Sequence, residues 1–184
     1  ILLIIIAGAM HWNHIWHWME TGIMDPEAEN YDYIIAGKQA YLNAPFFFIR
    51  AAVYIFGWWY ASKRLIALSR KEDTEGGLSS HKRSITISAI FIGFFGYTSS
   101  MMAWDWIMSI DTHWFSTLFG WFVFSSMGVT GFTTIAILAI YLKKKGYLEY
   151  VNENHIHDLG KWIFSFSVLW TYMWFSQFML IWYS

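Results

Sequence analysis

The chain has 184 residues, 57% of them hydrophobic, 22% aromatic and only 14% charged, whereas a soluble domain carries about 25% charged residues. This composition excludes an ordinary water-soluble domain. A net charge of −1 gives no basis for binding nucleic acid, and the absence of cysteine excludes disulfides, cysteine-ligated iron–sulfur clusters and c-type haem attachment within the chain.

Residues 1–9 are apolar, begin without methionine and lack a basic leader. They predict not a signal peptide but the truncated end of a transmembrane helix reaching about residue 18, in a piece of a longer chain. Residues 20–43 are polar and acidic, with Asp25-Pro26 as a breaker. Asn43, Ala44 and Pro45 read as a helix start, with asparagine as the cap and proline in the first turn. Four apolar stretches follow, 46–68, 85–110, 117–142 and 162–183. Each is long enough for the roughly 20 residues that cross a bilayer as helix. Between them lie a charged linker at 70–83 with Gly76-Gly77 at its centre, a short connection at 111–116 and a polar loop at 143–160. The predicted architecture is all-α: a polytopic transmembrane bundle, one domain over 1–184, with helices at about 1–18, 45–69, 84–109, 117–142 and 161–183. Gly93, Gly96, Gly120, Ser125, Gly128 and Gly131 are expected to let helices approach closely.

Loop charge predicts the sidedness. Of twelve Lys and Arg residues, ten lie in or beside 63–83 and 143–161. The intervening loops hold Glu20, Asp25, Glu27, Glu29, Asp32, Asp105 and Asp111, with only Lys38 and Arg50. The positive-inside rule places the basic loops in the cytoplasm.

Few polar groups interrupt the apolar runs. His11, His14 and His17 recur every third residue, an arc of about 120° on a helix, interleaved with Trp12, Trp16 and Trp18. An interfacial aromatic belt and a quinol or proton site both fit this pattern. A bis-histidine haem lacks a partner histidine in the later helices, and a zinc site lacks a completing cysteine. Arg50, near one end of its helix, either snorkels to the interface or pairs with Asp105, which lies between Trp104 and Trp106 at similar depth on the next helix. Pairing favours the charged carboxylate, whereas desolvation by the two tryptophans favours a proton-exchanging one. Asp111 and His113 fit a turn cap or a proton-exit or docking point. Gln177 fits an interhelical hydrogen bond, with a polar pathway as the alternative.

Three segments carry a resemblance: 38–50 (KQAYLNAPFFFIR), 103–117 (AWDWIMSIDTHWFST) and 170–183 (WTYMWFSQFMLIWY). In this order they resemble the membrane subunits of alternative complex III, a quinol:cytochrome c oxidoreductase, and among them the second, ActF-like one. These subunits belong to the NrfD-like, polysulfide-reductase type. The resemblance implies an NrfD-like helix bundle in the bacterial inner membrane, without a redox centre of its own. It implies quinol, such as menaquinol, as the substrate of the complex. The implied partners are a sister NrfD-like subunit, subunits carrying iron–sulfur clusters and multiple c-type haems, lipid and a terminal oxidase. Proton translocation would accompany quinol oxidation, with His11, His14, His17, Arg50, Asp105, Asp111, His113 and Gln177 as proton-path or quinol candidates. A proton- or ion-conducting transporter subunit and a purely structural anchor for peripheral redox subunits are the alternative readings.

Overall fold

The computed structural model describes residues 15–76 and 78–183. The predicted helix over 1–18 lies mostly outside them; its described end is a bend followed by one 3-10 turn, His17–Met19. Among the described residues the structure is all-helical, without strands. A short helix α1 (Tyr33–Gly37) precedes four long ones: α2 (Ala44–Glu75), α3 (Leu78–Met102), α4 (Phe119–Lys144) and α5 (Glu153–Tyr183). From Met102, α3 runs on into a π-helical turn, Ala103–Ile107, and a 3-10 turn, Met108–Ile110.

Three helical stretches are long and apolar enough to cross a bilayer, Leu78–Ile110, Phe119–Lys144 and Glu153–Tyr183, and they mark a membrane protein. Besides the helix over 1–18, the sequence predicts four. The exception, α2, is the longest helix at 32 residues. It carries Arg50, Lys63 and Arg64 among its tryptophans and tyrosines, and these lower its mean hydropathy.

Helix ends follow local chemistry. Asn43 Oδ1 accepts from the Phe46 amide at 3.0 Å, and Pro45 occupies the first turn of α2. The charged linker predicted at 70–83 is helical on both sides of Gly76, whose φ of +66° suits glycine. Arg, Lys and Glu are good helix formers, and Lys71 pairs with Glu75 one turn on at 3.4 Å, so polarity ends the apolar run without ending the helix. The polar loop predicted over 143–160 likewise becomes helix from Glu153. Asn152 and His155 cap that start reciprocally: the His155 amide donates to Asn152 Oδ1 at 3.1 Å and the Asn152 amide to His155 Nδ1 at 3.2 Å, a variant of the capping box.

The chain forms two compact units, Ile1–Ser116 and Thr117–Ser184. In the first, α2 buries the stripe Phe47, Arg50, Ala51, Tyr54 and Ala61, the i, i+3, i+4 spacing of one helix face, against α3 and the residues that precede α2. Residues 15–43 fold back over this helix pair as a small cap. Trp16 and Trp18 meet Phe47 edge-on, with ring centroids 5.1 and 5.5 Å away, and Ile23, Ile35 and Leu42 are buried with them.

In the second unit α4 and α5 interlock through aromatic rings. Phe132 stacks on Trp162 at 5.6 Å, Phe122 lies 5.7 Å from Trp170, and Phe124 lies 6.0 Å from Phe166. No residue of α5 is buried, so its remaining faces stay open to lipid or another helix. Of the small residues expected to permit close approach, Gly128 does so: a Cβ there would collide with the Phe166 ring. Gly93, Gly96 and Gly131 face open space within 4 Å. Gly57, opposite Phe94 in the first unit, is a close approach the sequence reading did not single out.

This contrast sets a test by thermal unfolding in detergent. Gly128→Ala is expected to destabilise by about 1–3 kcal/mol through overpacking. Gly131→Ala, meeting nothing, is expected to be neutral or to stabilise by up to about 1 kcal/mol through helix propensity. Equal effects at the two positions would contradict the described packing.

Candidate functional site

Arg50 lies in the second turn of α2, and Asp105 at the middle of the π-helical turn that extends α3. Asp105 is fully buried and Arg50 is 8% exposed. Arg50 grips the carboxylate with two donors: Nε donates to Oδ2 at 2.8 Å and Nη2 to Oδ1 at 3.0 Å. Two phenols complete the shell. Tyr41 Oη donates to Oδ1 at 2.7 Å and Tyr54 Oη to Oδ2 at 3.0 Å. A carboxylate offers about four lone-pair positions, and here four donors occupy them. The third guanidinium nitrogen, Nη1, reaches the Tyr41 carbonyl at 3.3 Å, and the Arg50 Cζ lies 4.1 Å from the ring centroids of both Tyr41 and Phe46.

The local sequence explains these positions. Tyr54 follows Arg50 by one helical turn, so both share a face of α2, and Trp58 extends the stripe. The wider π turn is a common device at sites where a helix must present a particular side chain; Ser109 Oγ donates to the carbonyl of Asp105. Trp106, Tyr54 and Trp58 form an aromatic wall, with centroid separations of 6.2–6.5 Å. Trp58 is fixed by donating Nε1–H to Thr98 Oγ1 at 3.0 Å.

The cap locks the same end. Lys38 Nζ donates to the Thr112 carbonyl, and His113 Nε2 meets Asp32 Oδ2 at 2.9 Å. Asp32 also caps α1, accepting from the Ile34 and Ile35 amides at 2.8 and 3.2 Å. Partial desolvation works against its charge, but those amides and the His113 ring outweigh it and hold the carboxyl below its ordinary value of 3.8. A depressed pKa means that these contacts stabilise the fold above that value and are lost as pH falls through the lower, folded-state one. Burial, followed by the hydrogen bond to Asp105, pushes the Tyr41 phenol well up, so it stays a neutral donor at physiological pH.

Arg50 and Asp105 are thus brought together as a pair, with Asp111 and His113 in the adjoining loop. Asp111 closes a turn on the His113 amide at 3.1 Å, and no helix follows until Phe119. His11 and His14 lie outside the described residues. His17 is exposed in its 3-10 turn and meets Glu20 at 3.0 Å, so the α-helical histidine face expected from the spacing does not extend to it. Gln177 lies half-buried on α5, in the second unit. Sequence reasoning missed Tyr41, Tyr54, Lys38 and Asp32. Only Tyr54 carried a signal, its i+4 spacing from Arg50. Among the described residues, no group of three or more His, Cys, Asp and Glu is placed to hold a metal ion.

No family model matches the chain, and no curated protein does.

The shell around Asp105 sets a second test. Tyr54→Phe removes one charge-assisted hydrogen bond and is expected to cost about 1.5–3 kcal/mol of unfolding stability in detergent. Tyr60→Phe, on the same helix but half exposed, is expected to change little. Equal costs would show that the phenol bond to Asp105 contributes nothing.

Proposed function

We propose that the chain is a membrane subunit of a respiratory quinol oxidoreductase of the alternative complex III type, an NrfD-like bundle in the bacterial inner membrane. It would sit beside a sister subunit of its own type and beneath outward-facing iron–sulfur and multihaem c subunits. Quinol is the substrate of that complex, and cytochrome c or a terminal oxidase takes the electrons. Support comes from the three resembling segments, which together span 42 of the 184 residues in the family's order. Two of them, 38–50 and 103–117, supply Tyr41, Arg50 and Asp105.

The observation that carries the reading is the filled shell of Asp105. In this reading α2 crosses the bilayer beside α3, and a charged pair buried between such helices serves a proton path or holds a particular arrangement. With all four acceptor positions taken, a relayed proton must first displace a donor. The arrangement therefore favours a fixed carboxylate that ties α2, α3 and the cap together beneath the partner subunits. The chain then supports quinol oxidation by holding the assembly, which brings the anchor reading inside the respiratory one.

Isolating the complex through a tag on this chain tests the assignment. The preparation is expected to show c-type haem in a reduced-minus-oxidised spectrum and to oxidise quinol. A chain that isolates without haem and without that activity would instead favour a transporter subunit. Within assembled complex, Asp105→Asn is expected to leave turnover and proton release per haem unchanged. Full assembly with slowed proton release would make Asp105 a relay and overturn its structural role.

A further inference from the structure

The α2–α3 pair has a second distinctive region, which begins about 10 Å along α2 from Arg50 and reaches Arg64 at about 21 Å, at ~1.5 Å per residue. An apolar groove of about 330 Å³ runs between the helices there, lined by Gly57, Ala61, Ile87, Ile90, Phe91 and Phe94. It adjoins a recess of about 280 Å³ through Arg64 and Ile87, which line both. Arg64, Lys82 and Arg83 converge on this recess, and no acidic side chain lines either space. The nearby acids have other positions: Glu72 meets His81 at 3.7 Å, Glu75 meets Lys71 at 3.4 Å, and Asp73 lines neither space.

We infer that the groove and recess form a binding site for an anionic phospholipid. One acyl chain would lie along the groove, with the phosphate between Arg64, Lys82 and Arg83. Groove and recess together run about 16 Å along each helix, from Gly57 to Leu68 on α2 and from Phe94 to Arg83 on α3, at ~1.5 Å per residue. They form an elongated apolar slot opening at one end onto cations. That is the shape and charge of a lipid with a net negative headgroup, and basic pockets between transmembrane helices take such headgroups. Two guanidiniums add bidentate recognition of phosphate oxygens. A zwitterionic lipid would fill the groove while leaving the cluster's charge uncompensated. Ile90 on the groove wall and Ile85 beside it are more than half exposed and provide an open flank towards lipid. The inference requires only that these helices sit in a membrane, and stands apart from the respiratory reading.

Native mass spectrometry of the full chain, extracted gently and exchanged into detergent with phosphatidylglycerol or phosphatidylcholine, tests it. The wild type is expected to retain phosphatidylglycerol and release phosphatidylcholine. The variant R64Q/K82Q/R83Q is expected to bind phosphatidylglycerol about a hundredfold more weakly, from three lost charges. Removing equal charge elsewhere, as R70Q/K143Q/K144Q, is expected to leave retention unchanged. Ile90→Trp, obstructing the groove with all three cations in place, is expected to reduce it. Equal retention of the two lipids, or wild-type binding by the triple-glutamine variant, would overturn the inference. So would displacement of the lipid by inorganic phosphate, since that would make the recess a phosphate site without a lipid's chain.

Discussion

A guanidinium and a carboxylate both removed from water must neutralise each other, because either one left alone in apolar surroundings is costly. Arg50 and Asp105 meet that requirement with two parallel hydrogen bonds, and much of the first unit is arranged around them. The pair fixes how α2 lies along α3, since a shift of one residue on either helix would break the two-pronged contact. It accounts for the face on which Tyr54 and Trp58 lie, one and two turns beyond Arg50. It also gives the cap a purpose: Tyr41 reaches inward to Asp105, while Lys38 and Asp32 fasten the loop that follows the carboxylate.

Two kinds of physics hold the molecule. Between the cap and α2, Trp16, Trp18, Ile23, Ile35 and Phe47 are buried, and removal of apolar area from water can stabilise that cluster, by about 1.5–3 kcal/mol for a fully buried side chain. Between membrane-spanning helices that drive is absent, and packing and hydrogen bonds take over. The α4–α5 pair shows the result: rings stack across the interface, Gly128 makes room for Phe166, and Ser125 and Ser126 return their hydroxyls to the Phe122 carbonyl. The ladder Trp174, Phe178 and Trp182 on α5 remains exposed, as befits a helix whose surroundings are lipid or another protein.

How much of this was legible in the sequence depended on the range of the signal. Helix positions followed from apolar runs, and the start of α2 from Asn43 and Pro45. Arg50 and Asp105 stood out because charges in apolar sequence are few and need partners. The helix ends were less legible: hydropathy reports lipid contact and not helicity, so the polar helical turns at 70–75, 78–83 and 153–160 read as loops. Tyr41 was hidden because tyrosine is common in this chain and nothing local marks which phenol turns inward, whereas Tyr54 shows only its i+4 spacing from Arg50. The π turn leaves no periodic trace, and the Asp32–His113 contact joins residues too far apart for any spacing argument. Glycines were over-read: Gly93, Gly96 and Gly131 share the spacing of packing residues but face open space.

The central claim is that Arg50 and Asp105 act as one buried unit. A double-mutant cycle on unfolding stability in detergent, with Arg50→Met, Asp105→Leu and the double variant, measures this most directly. Each single change strands a buried charge and is expected to cost about 3–5 kcal/mol, while the double variant is expected to recover most of that loss. Single costs that simply add in the double variant would show that the two charges do not depend on each other, and would contradict the account.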